Sequence, residues 1–225
     1  MGIKLRLTLL SFLQFFVWGS WLTSIGVYLF NTLHFKGIEI GAIFGTLGIA
    51  SLFMPGILGV LADKYLGSQK IYAACHLVGA GALLYASSVT TPSDMFIAML
   101  LNSIFYMPTI SLSNSISYEL IENNNLNIVK DFPKIRVWGT IGFVAAMWTI
   151  DALGWAALNN QLYLGAASAF VLGIYSLTLP KSRIIKTGKK TFMEKTGLDA
   201  LVLFKRKQIA IFLIFSMFIS AALQI

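Results

Sequence analysis

Charged side chains are scarce in this chain, and acidic ones are scarcer than basic ones. Only 12% of the 225 residues are Asp, Glu, Lys or Arg, whereas a soluble domain carries roughly 25%. Hydrophobic residues make up 57% of the sequence, and the mean hydropathy is +0.77. This composition excludes a soluble globule and predicts an all-α membrane protein, because helices satisfy their own backbone polar groups in lipid.

Cysteine and histidine are nearly absent, which removes several kinds of site. Cys75 is the only cysteine, so no internal disulfide can form. It adjoins His76 in an apolar segment with no second Cys or His at ligand spacing, so we predict that both residues pack in the core. No nucleophile–base pair or phosphate-binding loop is present either. We therefore expect neither a metal, nor a cofactor, nor an enzyme.

Basic residues are present, but their positions are uneven. Lys and Arg number 17 against 9 acids. They gather at the N-terminus and in alternate gaps between apolar runs, and only Lys36 falls in the other set of gaps. Because cytoplasmic loops collect Lys and Arg, the pattern predicts a multi-pass protein of the cytoplasmic membrane with its N-terminus inside. Contact with the lipid bilayer explains this charge better than nucleic acid does, so no nucleic-acid partner is expected.

Six apolar runs are long enough to cross a bilayer, since about 20 helical residues span a core of about 30 Å. They cover residues 7–31, 39–62, 71–90, 94–118, 134–153 and 160–179. The first run is too long for a signal peptide and lacks a cleavage site, so it should remain as a transmembrane helix.

The chain after the sixth run changes character. We predict a six-helix bundle over 1–180, a basic cytoplasmic linker over 181–207 and the start of a seventh helix over 208–225. This arrangement is typical of one half of a two-bundle transporter, so a C-terminal six-helix bundle is expected as the missing partner. Within the linker, 192–204 fits either an amphipathic surface helix or a solvated segment.

Two of the apolar runs carry polar stripes at helical spacing. The stripe in the first run is formed by Gln14, Trp18 and Trp21. The stripe in the fourth run is formed by Asn102, Tyr106, Thr109 and Ser113. Polar groups in a bilayer face a bundle interior or a wet cavity. We favour a wall that faces a solute, and hydrogen bonding between helices is the alternative.

The fifth run carries the most specific pattern. Asp131 and Pro133 suit the start of a helix, and Arg136, Thr140 and Phe143 then share one face at i, i+4 and i+7. At 1.5 Å per residue, Phe143 lies about 15 Å beyond Pro133, close to the midplane where transporter sites cluster. This face would match a solute with a flat ring and several hydroxyls or carbonyls. The alternatives are that Arg136 is a snorkelling interfacial cation and that Phe143 only packs.

The loop between the second and third runs holds glycines, an acid and bases at a distinctive spacing. Gly59 is followed four residues later by Asp63, then by a basic residue, Gly67 and Lys70. This pattern resembles the loop signature of the major facilitator superfamily. By this resemblance Asp63 would steady the outward-facing state through contacts between two bundles. A simple helix-end charge is the alternative.

Three stretches together resemble the bacterial nucleoside:proton symporters of that superfamily. They are 11–23, 131–143, and a group formed by 197–200, 215–217 and 223–225. The likeness covers the whole chain, and its middle stretch is the most diagnostic. Sugar:proton symporters share part of that stretch. The resemblance implies twelve helices in the complete protein, with the proton-coupling acids on later helices. It also implies a nucleoside site lined by Arg136, Thr140, Phe143 and Gln224.

The sequence therefore predicts the N-terminal six-helix bundle of a major facilitator fold, plus most of a seventh helix. The resemblance implies proton-coupled nucleoside uptake by alternating access. In it, Phe143 would stack on the base, and Arg136, Thr140 and Gln224 would hydrogen-bond the base or ribose. Two alternatives stay open: a proton symporter for a disaccharide or other polar solute, and an inactive truncated transporter fragment.

Overall fold

The first apolar run forms two helices rather than one. In the computed structural model, which describes residues 2–61, 67–180, 206–211 and 215–216, α1 covers Ile3–Gly19 and α2 covers Ile25–Asn31. Between them the Ser20 hydroxyl donates to the Val17 carbonyl at 2.7 Å. Such a local bond competes with regular helix geometry. The prediction of one continuous helix over 7–31 is therefore wrong.

Five further helices follow within the described residues up to 180. They are α3 (Gly37–Leu61), α4 (Ser68–Ser88), α5 (Pro92–Asn123), α6 (Ile128–Ala152) and α7 (Asn160–Leu177). The predicted all-α class is confirmed. Three segments are long and apolar enough to cross a membrane alone, and these are Gly37–Gly59, Ser68–Ser88 and Pro92–Asn123. That the other helices cross the bilayer stays a prediction.

Helix α6 begins earlier than predicted. Its N-cap is Asn127, whose side chain accepts a hydrogen bond from the Lys130 N–H at 3.0 Å. The Asp131 carboxylate in turn accepts from the Asn127 N–H at 3.1 Å. These reciprocal bonds satisfy free donors at the helix start. The expectation that Asp131 caps a helix beginning at Pro133 is therefore wrong, and Pro133 lies inside α6.

The chain divides into two compact units, Met1–Ile185 and Lys186–Ile225. The first unit holds α1 to α7. In the second unit, residues 207–211 are helical. The rest of the predicted linker 181–207 and most of the predicted helix 208–225 lie outside the described residues, as does Asp63.

Gln14 is the centre of a polar network where α1, α4 and α5 meet. Its Nε2 donates to Thr109 Oγ1 at 2.8 Å, and its Oε1 accepts from the Tyr72 hydroxyl at 2.5 Å. The same Oε1 lies 3.0 Å from His76 Nε2, and the Gln14 carbonyl accepts from the Tyr106 hydroxyl at 2.6 Å. Because an amide oxygen only accepts, His76 must carry its proton on Nε2.

The network corrects the interpretation of the polar stripes. Gln14 is 0% exposed and Trp21 is 1% exposed. The residues of the α5 stripe are equally buried: Asn102 at 1%, Tyr106 at 3%, Thr109 at 0% and Ser113 at 6%. The favoured prediction of a solute-facing wall is therefore wrong for these residues. The two stripes turn toward each other, and Gln14 joins them through its hydrogen bonds with Thr109 and Tyr106. The buried side-chain nitrogens of Trp18, Trp21 and Asn102 have no hydrogen-bond partner within the described residues. Cys75 and His76 are buried, as predicted.

Helices α1 and α6 run parallel and touch through their backbones. Contacts advance together along both helices, from Lys4 with Asp131 to Gly19 with Phe143. A Cβ added to Gly19 would lie 2.5 Å from the Phe143 carbonyl oxygen, and one added to Gly142 would lie 2.2 Å from the Phe12 carbonyl oxygen. Glycine at these positions is therefore required for the close approach of the two helices.

Replacing Gln14 by Leu should destabilise the protein strongly. The Tyr72 hydroxyl and the His76 N–H would lose their acceptor, and each buried group left unpaired costs about 1–3 kcal/mol. Thermal unfolding of purified protein checks this. Ser117→Ala is the control, because the Ser117 hydroxyl donates at 2.7 Å to the Ser113 carbonyl of its own helix. Equal melting temperatures for both variants would contradict the role given to Gln14.

Gly142→Ala should also destabilise the protein, by about 1–3 kcal/mol, because overpacking forces backbone shifts. Gly81→Ala on α4 is a matched control, since nothing lies within 4 Å of an added Cβ there. It should be neutral or slightly stabilising, because Ala is the better helix former. The melting temperatures of the two variants, measured in the same detergent, test whether the close approach of α1 and α6 requires Gly142. The packing argument fails if Gly142→Ala melts no lower than Gly81→Ala.

Candidate functional site

The three residues that the sequence selected on α6 have different environments. Arg136 and Phe143 are half-buried against α1, and Thr140 between them is exposed. Within the described part of the chain, the Thr140 hydroxyl has no hydrogen-bond partner. The fourth predicted residue, Gln224, lies outside the described residues. Helix α6 therefore presents an unused hydroxyl between a guanidinium and an aromatic ring.

The Arg136 side chain extends forward along α6 and packs against α1. Its Cζ lies 3.9 Å from the centroid of the Phe15 ring. A Cβ added to Gly139 would lie 2.7 Å from Arg136 Nη1, so the guanidinium occupies the space beside that glycine. Gly139 follows Arg136 by one helical turn. The side chain therefore points toward the C-terminal part of α6, which is opposite to the direction of a cation snorkelling toward the start of the helix.

Phe143 belongs to a row of aromatic rings shared between α6 and α1. Its ring meets Trp18 edge to face, with centroids 6.2 Å apart and planes at 81°. Trp18 also lies 6.2 Å from Phe15 and 5.9 Å from Tyr106. All three centroid distances lie within the range of about 4.5–7 Å for interacting aromatic pairs, and the Phe143–Trp18 pair has the preferred edge-to-face geometry. The row provides flat apolar surface beside the hydrogen-bonding groups of Arg136 and Thr140.

Among the described residues, no acidic side chain forms a salt bridge with this face. The salt bridge recorded among the described residues joins Lys4 Nζ to Asp131 Oδ1 at 2.8 Å, where α1 and α6 begin. The hydrogen bond from Lys4 holds the pKa of the Asp131 carboxyl below its usual value. No acidic side chain in the described ranges is buried, and none pairs with Arg136. The N–H donors of Arg136 are therefore not occupied by a carboxylate of the described residues.

Sequence reasoning missed Phe15 and Gly139. The sequence contained a pattern that could have identified Phe15. Ser11, Phe15 and Trp18 on α1 have the same i, i+4, i+7 spacing as Arg136, Thr140 and Phe143 on α6. The polar residue Gln14 drew attention to a neighbouring face of α1 instead. For metals, the described residues hold no group of three or more His, Cys, Asp or Glu side chains that could bind an ion.

Known proteins resemble the chain along its whole length. It is 50% identical to the nucleoside permease NupG of Escherichia coli (strain K12). The alignment of 226 residues covers 100% of this chain and 54% of the permease. This chain is 48% identical to the xanthosine permease of the same organism, with the same coverage. The chain thus spans about half the length of these relatives.

A solved structure agrees with these similarities. The crystal structure of a point mutant of the nucleoside transporter NupG matches 99% of this chain and 56% of its own chain, with a TM-score of 0.91 at 50% identity. The crystal structure of the unmutated transporter matches 100% of this chain and 56% of its own, with a TM-score of 0.86. The family model described as nucleoside H+ symporter matches residues 1–225. The chain therefore belongs to the nucleoside H+ symporter family.

Proposed function

We propose that this chain forms one half of a carrier that takes up nucleosides with protons across the cytoplasmic membrane. The complete carrier is this chain together with the C-terminal half that its relatives possess. The observation that carries the proposal is the α6 face, where Arg136, the unpaired Thr140 hydroxyl and Phe143 lie on one side of one helix. Membership of the nucleoside H+ symporter family supports the same conclusion.

The chemistry of this face suits a nucleoside. A nucleoside is a neutral flat ring joined to a sugar that carries hydroxyls. Phe143, backed by Trp18, offers a plane for the base, and stacking of a base on an aromatic side chain is worth about 1–3 kcal/mol. Arg136 supplies up to five N–H donors, and Thr140 can both donate and accept. Gln224 would add a hydrogen bond from the predicted seventh helix.

Proton coupling is assigned to the other half of the carrier. No acidic side chain among the described residues is buried near the α6 face, and a group that binds a proton in the membrane interior is expected to be buried. The carrier would work by rocking two bundles around a central site. In that motion Asp63 would steady the outward-facing state. The N-terminus would lie in the cytoplasm, in agreement with the basic residues of alternate loops.

Arg136→Ala and Phe143→Ala should each reduce uptake of tritiated uridine by the complete carrier by about 10- to 100-fold. Hydrogen bonds to a charged donor contribute about 1.5–3 kcal/mol, and tenfold corresponds to 1.36 kcal/mol. Uptake is measured in cells that lack other nucleoside carriers, at matched amounts of carrier in the membrane.

Phe170→Ala is the matched control for Phe143→Ala, because the Phe170 ring is exposed on α7. It should leave uptake unchanged. Competition by nucleosides and by disaccharides then separates the two solute classes. Normal uridine uptake by Arg136→Ala, or competition by disaccharides alone, would refute the proposed site.

A further inference from the structure

We propose that Phe15 and Gly139 form a cradle that holds the Arg136 guanidinium in the orientation needed to bind the nucleoside. Phe15 is thus a positioning residue for Arg136. This inference rests on the proposed function, and it adds two residues that the predicted site did not include.

The first side of the cradle is the Phe15 ring. Arg136 Cζ lies 3.9 Å from the ring centroid, well inside the distance of about 6 Å over which an aromatic ring attracts a cation. Phe15 is only 7% exposed, and the Trp18 ring lies beside it. Packing therefore holds the ring in place beneath the guanidinium.

The second side of the cradle is the missing side chain of Gly139. A Cβ at this position would lie 2.6 Å from Phe15 Cδ2, 2.7 Å from Arg136 Nη1 and 3.0 Å from Ser11 Oγ. The first two distances are shorter than real Cβ contacts. Only glycine therefore leaves room for the guanidinium to lie between α6 and the Phe15 ring.

Stacking also leaves the guanidinium able to bind a ligand. Its N–H donors lie in the guanidinium plane and point outward from its edge. A ring beneath one face therefore compensates part of the desolvation of the charge and blocks no donor. No carboxylate among the described residues competes for those donors. Because the cradle selects one arrangement of a long side chain in advance, less conformational freedom is lost when the nucleoside binds.

The test compares the complete carrier with Phe15→Leu, Arg136→Gln, the double variant and a control. The control is Phe16→Leu, which makes the same change on the same helix at a ring that stacks on Phe12 with centroids 5.8 Å apart. Uridine affinity is measured as the Kd of purified carrier, and as KM and Vmax of uptake. Melting temperatures report the folded state of each variant.

Phe15→Leu should raise Kd and KM roughly 3- to 30-fold, the range expected for loss of a cation–π contact. The total Vmax of uptake should not change. Damage to folding alone would instead lower the total Vmax, because fewer carriers are active, and would leave KM unchanged. Phe16→Leu should leave Kd within twofold of the parent. In the Arg136→Gln background, Phe15→Leu should weaken binding no further, because the cation is gone.

Gly139→Ala tests the cradle from its other side. Its methyl group overlaps both the guanidinium and the Phe15 ring, so the contact between them is disturbed although both side chains are retained, and Kd should rise at least as much as in Phe15→Leu. The cradle is refuted if Phe15→Leu and Phe16→Leu give the same Kd, or if Phe15→Leu weakens binding equally with and without Arg136. Failure of the proposed function is a different result: the parent carrier binds no nucleoside, or Arg136→Gln leaves Kd unchanged.

Discussion

The backbone contact between α1 and α6 is the constraint on which the candidate site depends. Gly19 and Gly142 bring the two helices so close that a methyl group on either would overlap the opposite backbone. At that separation the Arg136 guanidinium reaches the Phe15 ring and Phe143 reaches Trp18. The candidate site is therefore a property of a helix pair, although the hydrogen-bonding groups proposed for it among the described residues stand on α6.

The buried network around Gln14 uses polar side chains to join helices. Each hydroxyl or ring N–H that meets Gln14 has a partner there, and such bonds are strong in an interior of low dielectric constant. On α6, by contrast, the Thr140 hydroxyl is unpaired within the described residues. The Gln14 network thus joins helices, whereas the Thr140 hydroxyl has the open position that its proposed role in binding requires.

Much of the outcome could be predicted from the sequence, and the remainder required the neighbouring helices. Composition predicted the helical membrane class, and the three stretches taken together predicted the family, because neither prediction requires knowing which helices pack against each other. Helical spacing put Arg136, Thr140 and Phe143 on one face. Spacing could not tell which way the stripe of Gln14 turns, since that depends on what packs against it. The need for glycine at 139 was likewise hidden until Phe15 lay opposite.

The Gln14 network has a fixed polarity with a consequence for charge movement. The Tyr72 hydroxyl and the His76 N–H both aim at the same amide oxygen, and the amide N–H₂ aims away at Thr109. A carboxamide does not release one proton on accepting another, so a Grotthuss-type wire is interrupted there. The hydrogen bonds that join Gln14 to Tyr72, His76 and Thr109 therefore form no continuous proton-transfer path across the seam between α1, α4 and α5.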